Sequence, residues 1–145
     1  MNTVADANGE VGRKAPVASV ETLTTAKTLT VEDLGKTFNV ATDALVHVLP
    51  AVGTSPDSAR AGSKVKFRNT GADGNNLVTV SPNSVDQIFG SIANAAADSV
   101  SAGALDKDII NTKATANKGD WIELESDGVT GWYITGGVGI WASEA

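Results

Sequence analysis

The sequence predicts an all-β fold, an antiparallel β-sandwich or jelly-roll-like domain carrying an extended N-terminal arm. Three observations predict it. Short runs with apolar side chains at every second position recur along the chain, residues that favour turns separate them, and no stretch keeps a helical period beyond a single turn. Counting the runs gives about eight to ten strands, the pattern of a sandwich or barrel. At 145 residues the chain is one domain of ordinary size, able to bury roughly 68–70% of the surface its unfolded form exposes.

Residues 1–18 are small and polar without periodicity. Gly9 and Gly12 disfavour a helix and Pro16 holds Ala15 extended, so this segment is expected to be a flexible arm and residues 19–145 the β-domain. In Val17–Leu23, Ala18, Val20 and Thr22 line one face of a first strand and Ser19, Glu21 and Leu23 the other, and a second short strand begins within 24–29. Thr30–Lys36 reads as one helical turn, with Thr30 as N-cap, Glu32 and Asp33 in the first turn and Gly35 ending it. Thr37–Val40 alternates again. The apolar run Ala44–Leu49 is a buried strand ended by Pro50, and residues 53–62 form a loop in which Pro56 suits the start of a short helix.

Lys64–Arg68 alternates strictly, Val65 and Phe67 inward and three cations outward, and residues 69–76 are expected to return it as a hairpin into Leu77–Val80. Val85–Phe89 is a further strand. Residues 91–105 are rich in Ala, Ser and Asp and are expected to make an exposed excursion, with a marginal helical turn over Ile92–Ala97. A strand resumes at Asp108–Thr112. The last hairpin holds all three tryptophans and the only tyrosine: Trp121–Glu125 places Ile122 and Leu124 on one face and Trp121, Glu123 and Glu125 on the other. The Asp127-Gly128 turn then leads into Trp132–Thr135.

Composition narrows function. Acidic residues outnumber basic ones 17 to 11, for a net charge of −6, which disfavours nucleic acid as a partner. There is no cysteine for a disulfide, a nucleophile or a thiolate metal site. No run reaches the roughly 20 apolar residues of a membrane span, and the first residues lack the basic start and apolar middle of a signal peptide, so cytoplasmic synthesis is expected.

Residues fit for catalysis are few. His47, the single histidine, lies inside an apolar strand with no nucleophile turn nearby, and reads as a satisfied or half-exposed strand residue rather than part of a Ser-His-Asp site or a zinc site. Glu123 and Glu125 share a face, as paired carboxylates of a glycosidase or calcium site do, but a solvated strand face is the simpler reading. Gly136–Gly139 precedes no helix and is no phosphate loop. The expectation is a binding or structural protein with no catalytic residues, metal or cofactor.

The segments KVKFRNTGADGNNLVTVSP, DKDIINTKATANKGDWIELESDG and GWYITGGVGIWASEA, with LTVEDLGKTFNV more loosely, together resemble the capsid decoration (cement) proteins of tailed bacteriophages. The resemblance implies a β-sandwich or jelly-roll body that trimerises over the major capsid protein on the virion exterior after synthesis in the host cytoplasm, without catalysis. Gly-Asp-Trp and Gly-Trp-Tyr hairpins also recur in phage tail-fibre modules, which gives the alternative of a receptor-binding module. Trp132 shares a face with Ile134 and is assigned to the core, whereas Trp121 and Trp141 suit either the core or an interface. Trp121, Tyr133 and Trp141, with Arg13 and Lys14 of the arm, are the candidates for partner contact.

Overall fold

Strands that alternate apolar and polar side chains must bury one face, and two sheets stacked face to face achieve this here. In the computed structural model, which describes residues 19–93, 99–100 and 103–144, thirteen strands are present. They are β1 (Val20–Leu23), β2 (Lys27–Thr28), β3 (Thr37–Val40), β4 (Leu45–Val48), β5 (Lys64–Asn69), β6 (Val78–Ser81), β7 (Gln87–Phe89), β8 (Ser91–Ile92), β9 (Ser99–Val100), β10 (Ile109–Asn111), β11 (Trp121–Ser126), β12 (Gly131–Val138) and β13 (Trp141–Ser143). One sheet has six strands in the order β1-β3-β5-β11-β12-β7, the other has five in the order β13-β10-β6-β4-β2, and β8 and β9 form a separate pair.

The all-β sandwich expected from the sequence is therefore present, but its sheets are mixed rather than antiparallel throughout. β1 with β3, β3 with β5, β2 with β4, β4 with β6 and β7 with β12 all pair parallel. The expected hairpin of Lys64–Arg68 with Leu77–Val80 is absent, because β5 and β6 belong to different sheets. Their connection is an arch across the end of the sandwich, held by Asn76, whose side-chain nitrogen donates to the carbonyl of Val40 at 2.8 Å and to Asn69 Oδ1 at 2.9 Å. The hairpin of β11 and β12 forms as expected, with a register shift between Glu123 and Leu124.

The inward faces meet in one core. Phe38, Phe67, Ile122, Leu124, Ile88 and Trp132 of the larger sheet pack with Val78, Val80 and Ile109 of the smaller one. Phe67 stacks on Phe38 with ring centroids 5.6 Å apart, and on His47 of the opposite sheet at 6.0 Å. His47 is thus not the satisfied or half-exposed residue expected: it is 0% exposed, and neither ring nitrogen has a hydrogen-bond partner. Burial alone holds its pKa down to about 4, so the ring is neutral and serves as a packing element.

A polar cluster closes the open side of the sandwich near β1. Lys27 and Lys36 each pair with both Glu21 and Asp33 at 3.1–3.3 Å, and the Lys27 ammonium lies 5.5 Å from the centre of the Phe38 ring. Hydrogen bonds from Lys27 and then Lys36 hold the Glu21 carboxyl below its ordinary pKa. The helical turn expected at Thr30 is a three-residue 3-10 turn, Val31–Asp33, begun by the Thr30 N–H donating to Asp33 Oδ2 at 2.9 Å, and Gly35 ends it at φ +86°.

No short helix starts at Pro56, where the chain forms turns. Ile92 is 3% exposed in β8, where a helical turn was expected to begin. The rest of that expectation, residues 94–97, and the arm 1–18 with Arg13 and Lys14, lie outside the described residues.

Candidate functional site

The outer face of the six-stranded sheet is built by register. Alternation turns Lys64, Lys66 and Arg68 of β5 and Trp121, Glu123 and Glu125 of β11 away from the core, and pairing aligns them in rows. One row runs Asn39, Arg68, Trp121, Val138; the next Thr37, Lys66, Glu123, Gly136; the third Lys64, Glu125, Tyr133, Phe89.

Charged and aromatic side chains share these rows. Lys64 lies 3.6 Å from Glu125 and 4.0 Å from Glu123, and Thr135 donates to Glu123 Oε1 at 2.9 Å, so the two glutamates form a solvated ion-pair strip, as expected. The Lys66 ammonium sits 4.1 Å from the centre of the Trp121 ring. That indole reaches over Gly136, where an added Cβ would stand only 3.2 Å from Cη2 of the ring. Gly136 thus gives Trp121 its resting place. On the far side, Tyr133 stacks on Phe89 at 5.0 Å while remaining 47% exposed, and Val138 is 51% exposed.

The fold therefore brings Trp121 and Tyr133 of the sequence candidates to one surface and removes the third. Trp141 is 1% exposed, because β13 pairs it with Asn111 of β10, whose side chain points into the sandwich. Its indole N–H donates to the carbonyl of Val138 at 3.1 Å. Trp141 is a core residue, not a partner contact. Phe89 and Val138 are surface members that sequence reasoning missed. The alternation of Val85–Phe89 was visible, but nothing local placed Phe89 beside Tyr133, since β7 joins β12 in parallel from a distant part of the chain.

Among the described residues no group of three or more His, Asp or Glu side chains is placed to hold a metal ion. Asp127 is committed to its turn: its Oδ1 accepts the N–H groups of Val129, Thr130 and Gly131, and these bonds with the Thr130 hydroxyl outweigh partial burial and hold its pKa down to about 2. The face presents aromatic and aliphatic area beside a central strip of paired charges, a mixture that suits contact with another protein.

No protein-family model, no curated protein and no solved structure matches this chain.

Proposed function

We propose that this protein is a non-enzymatic structural component of a tailed-phage virion, a decoration protein that binds the outside of the assembled capsid through the outer face of its six-stranded sheet and stabilises the shell. The observation that supports this reading is that Trp121, Tyr133, Phe89 and Val138 share one face, Tyr133 and Val138 exposed and Trp121 and Phe89 half-buried beside them, with tyrosine and tryptophan residues of the kind that anchor interfaces. The resemblance of segments within residues 64–145 to cement proteins supports the class of partner, the major capsid protein, and a trimer as the binding form.

A cement that binds only the assembled lattice stabilises it by mass action, by about 2.7 kcal/mol per site at a free concentration one hundred times Kd, and a trimer binding through several contacts adds avidity. The test is to strip the protein from particles, add it back, and follow the temperature of genome release together with adsorption to cells. Addition should raise the release temperature and leave adsorption unchanged. An unaltered release temperature with adsorption that depends on the protein would replace this reading with the receptor-binding module.

A further inference from the structure

Lys66 and Arg68 occupy successive outward positions of β5, about 7 Å apart along the strand. Register sets Lys66 opposite Glu123, yet the two do not pair. The Lys66 ammonium turns to the Trp121 ring, 4.1 Å from its centre, while Glu123 accepts from Thr135 at 2.9 Å and lies 4.0 Å from Lys64. Arg68 stands opposite Trp121 in the row Asn39, Arg68, Trp121, Val138, which holds no acid, and the bond from its Nη1 to Asn39 Oδ1 is long, at 3.4 Å.

Among the described residues neither cation has a carboxylate partner, whereas Lys64 of the same strand lies between Glu125 and Glu123. The outer face of a chain with net charge −6 therefore keeps two unneutralised cations together at one corner. The guanidinium of Arg68 offers a planar fork of donors that matches a carboxylate, and Lys66 adds a second charge beside it. The same corner has apolar area to offer, since Trp121 and both cations are half-buried and Val138, next along the row, is 51% exposed. Glu123 and Glu125 on the neighbouring rows would repel a run of phosphates, so the charge pattern favours a single acidic group over a polyanion.

We infer that the corner formed by Lys66, Arg68 and Trp121 receives an acidic side chain of the partner protein, an aspartate or glutamate with an apolar residue beside it. The carboxylate takes the Arg68 guanidinium and the Lys66 ammonium, and its apolar neighbour lies on Trp121 and Val138. This rests on the reading of the outer face as the contact surface with the shell, and it names the chemistry that the shell presents there.

The experiment measures the affinity of the full-length protein for stripped particles in the native form and in two variants. Lys66→Gln/Arg68→Gln should bind about tenfold more weakly, and Arg60→Gln/Lys113→Gln, which removes the same charge from residues outside the strands of this sheet, should bind as the native form does. Native binding should also weaken as salt is raised from about 50 to about 500 mM, a measurement that needs no variant to fold. Equal affinity of the native form and the Lys66/Arg68 variant, or native binding indifferent to salt, would overturn this inference and leave the capsid reading in place. A native protein that binds no particle would remove the capsid reading and this inference with it. Saturable binding of a short oligothymidine that is lost in the Lys66/Arg68 variant would assign the corner to nucleic acid and overturn the inference. So would loss of self-association in that variant, by sedimentation, with particle binding unchanged, because the corner would then serve a second copy of the chain.

Discussion

The side-chain nitrogen of Asn69 donates to Asn111 Oδ1 at 2.7 Å, and this one bond joins β5 of the larger sheet to β10 of the smaller inside the sandwich. Both residues are at most 1% exposed, and the bond continues into a network. Asn111 Nδ2 donates to Asp120 Oδ2 and to the carbonyl of Ile140, each at 3.1 Å, while Asn69 Oδ1 accepts the Gly71 N–H at 2.9 Å. Buried polar groups are costly when unpaired, so each member of such a network depends on the others.

Replacing Asn111 by alanine should therefore cost about 2–4 kcal/mol, well beyond the loss of one hydrogen bond, because the Asp120 carboxylate and the Ile140 carbonyl both lose a donor in a dry site. Asn111→Asp should be worse still, since it sets a second carboxylate against Asp120. Urea denaturation should show lower midpoints with an unchanged slope.

Acid should weaken the fold through His47. Its folded pKa of about 4 lies below the 6.5 of an exposed histidine, so the unfolded chain takes up the proton first. The contribution is complete above about pH 6.5 and is lost as pH falls from there to about 4, a span worth about 3 kcal/mol at 1.36 kcal/mol per pKa unit. Urea midpoints measured across that interval should fall in the native protein and fall much less in His47→Leu.

Two kinds of glycine should separate on substitution. At Gly131 an added Cβ would stand 2.1 Å from the carbonyl oxygen of Gln87, its partner on β7, so Gly131→Ala must push β7 away from β12 and should cost about 3 kcal/mol or more. Gly74 has a φ of +69° but nothing within 4 Å of the added atom, so Gly74→Ala should cost only about 1 kcal/mol, the strain of the backbone. Thermal unfolding of the two variants checks the contrast.

The tryptophans should divide by function. Trp141→Ala removes a buried indole and should destabilise by about 3–5 kcal/mol. Trp121→Ala should cost about 1 kcal/mol or less, the order of its contact with Lys66. If the outer face binds the shell as proposed, Trp121→Ala and Tyr133→Ala should each weaken binding to stripped particles by about tenfold or more while the domain stays folded. Normal binding by both variants would move the interface elsewhere.

What the sequence by itself determined was the buried face of its strictly alternating strands; β8, where a helical turn was expected, and β13 were not foreseen. The alternation of Val65 with Phe67, and of Ile122 with Leu124, specifies an inward face whatever the neighbours are, because side chains along a strand point to opposite sides. The Asp127-Gly128 turn likewise specified its hairpin locally, Gly128 taking φ +73°. The same alternation is indifferent to the direction and identity of the strand alongside. Only the tertiary structure decided that β3 runs parallel to β5, that β5 and β6 part into two sheets, and that Phe89 stacks on Tyr133. It also decided between two tryptophans with similar surroundings in sequence. Trp121 stays partly exposed because its row runs along the outer face, and Trp141 is buried because β10 aligns it with inward-pointing Asn111. Burial is set by the partner strand, and the partner strand lies far away in the chain.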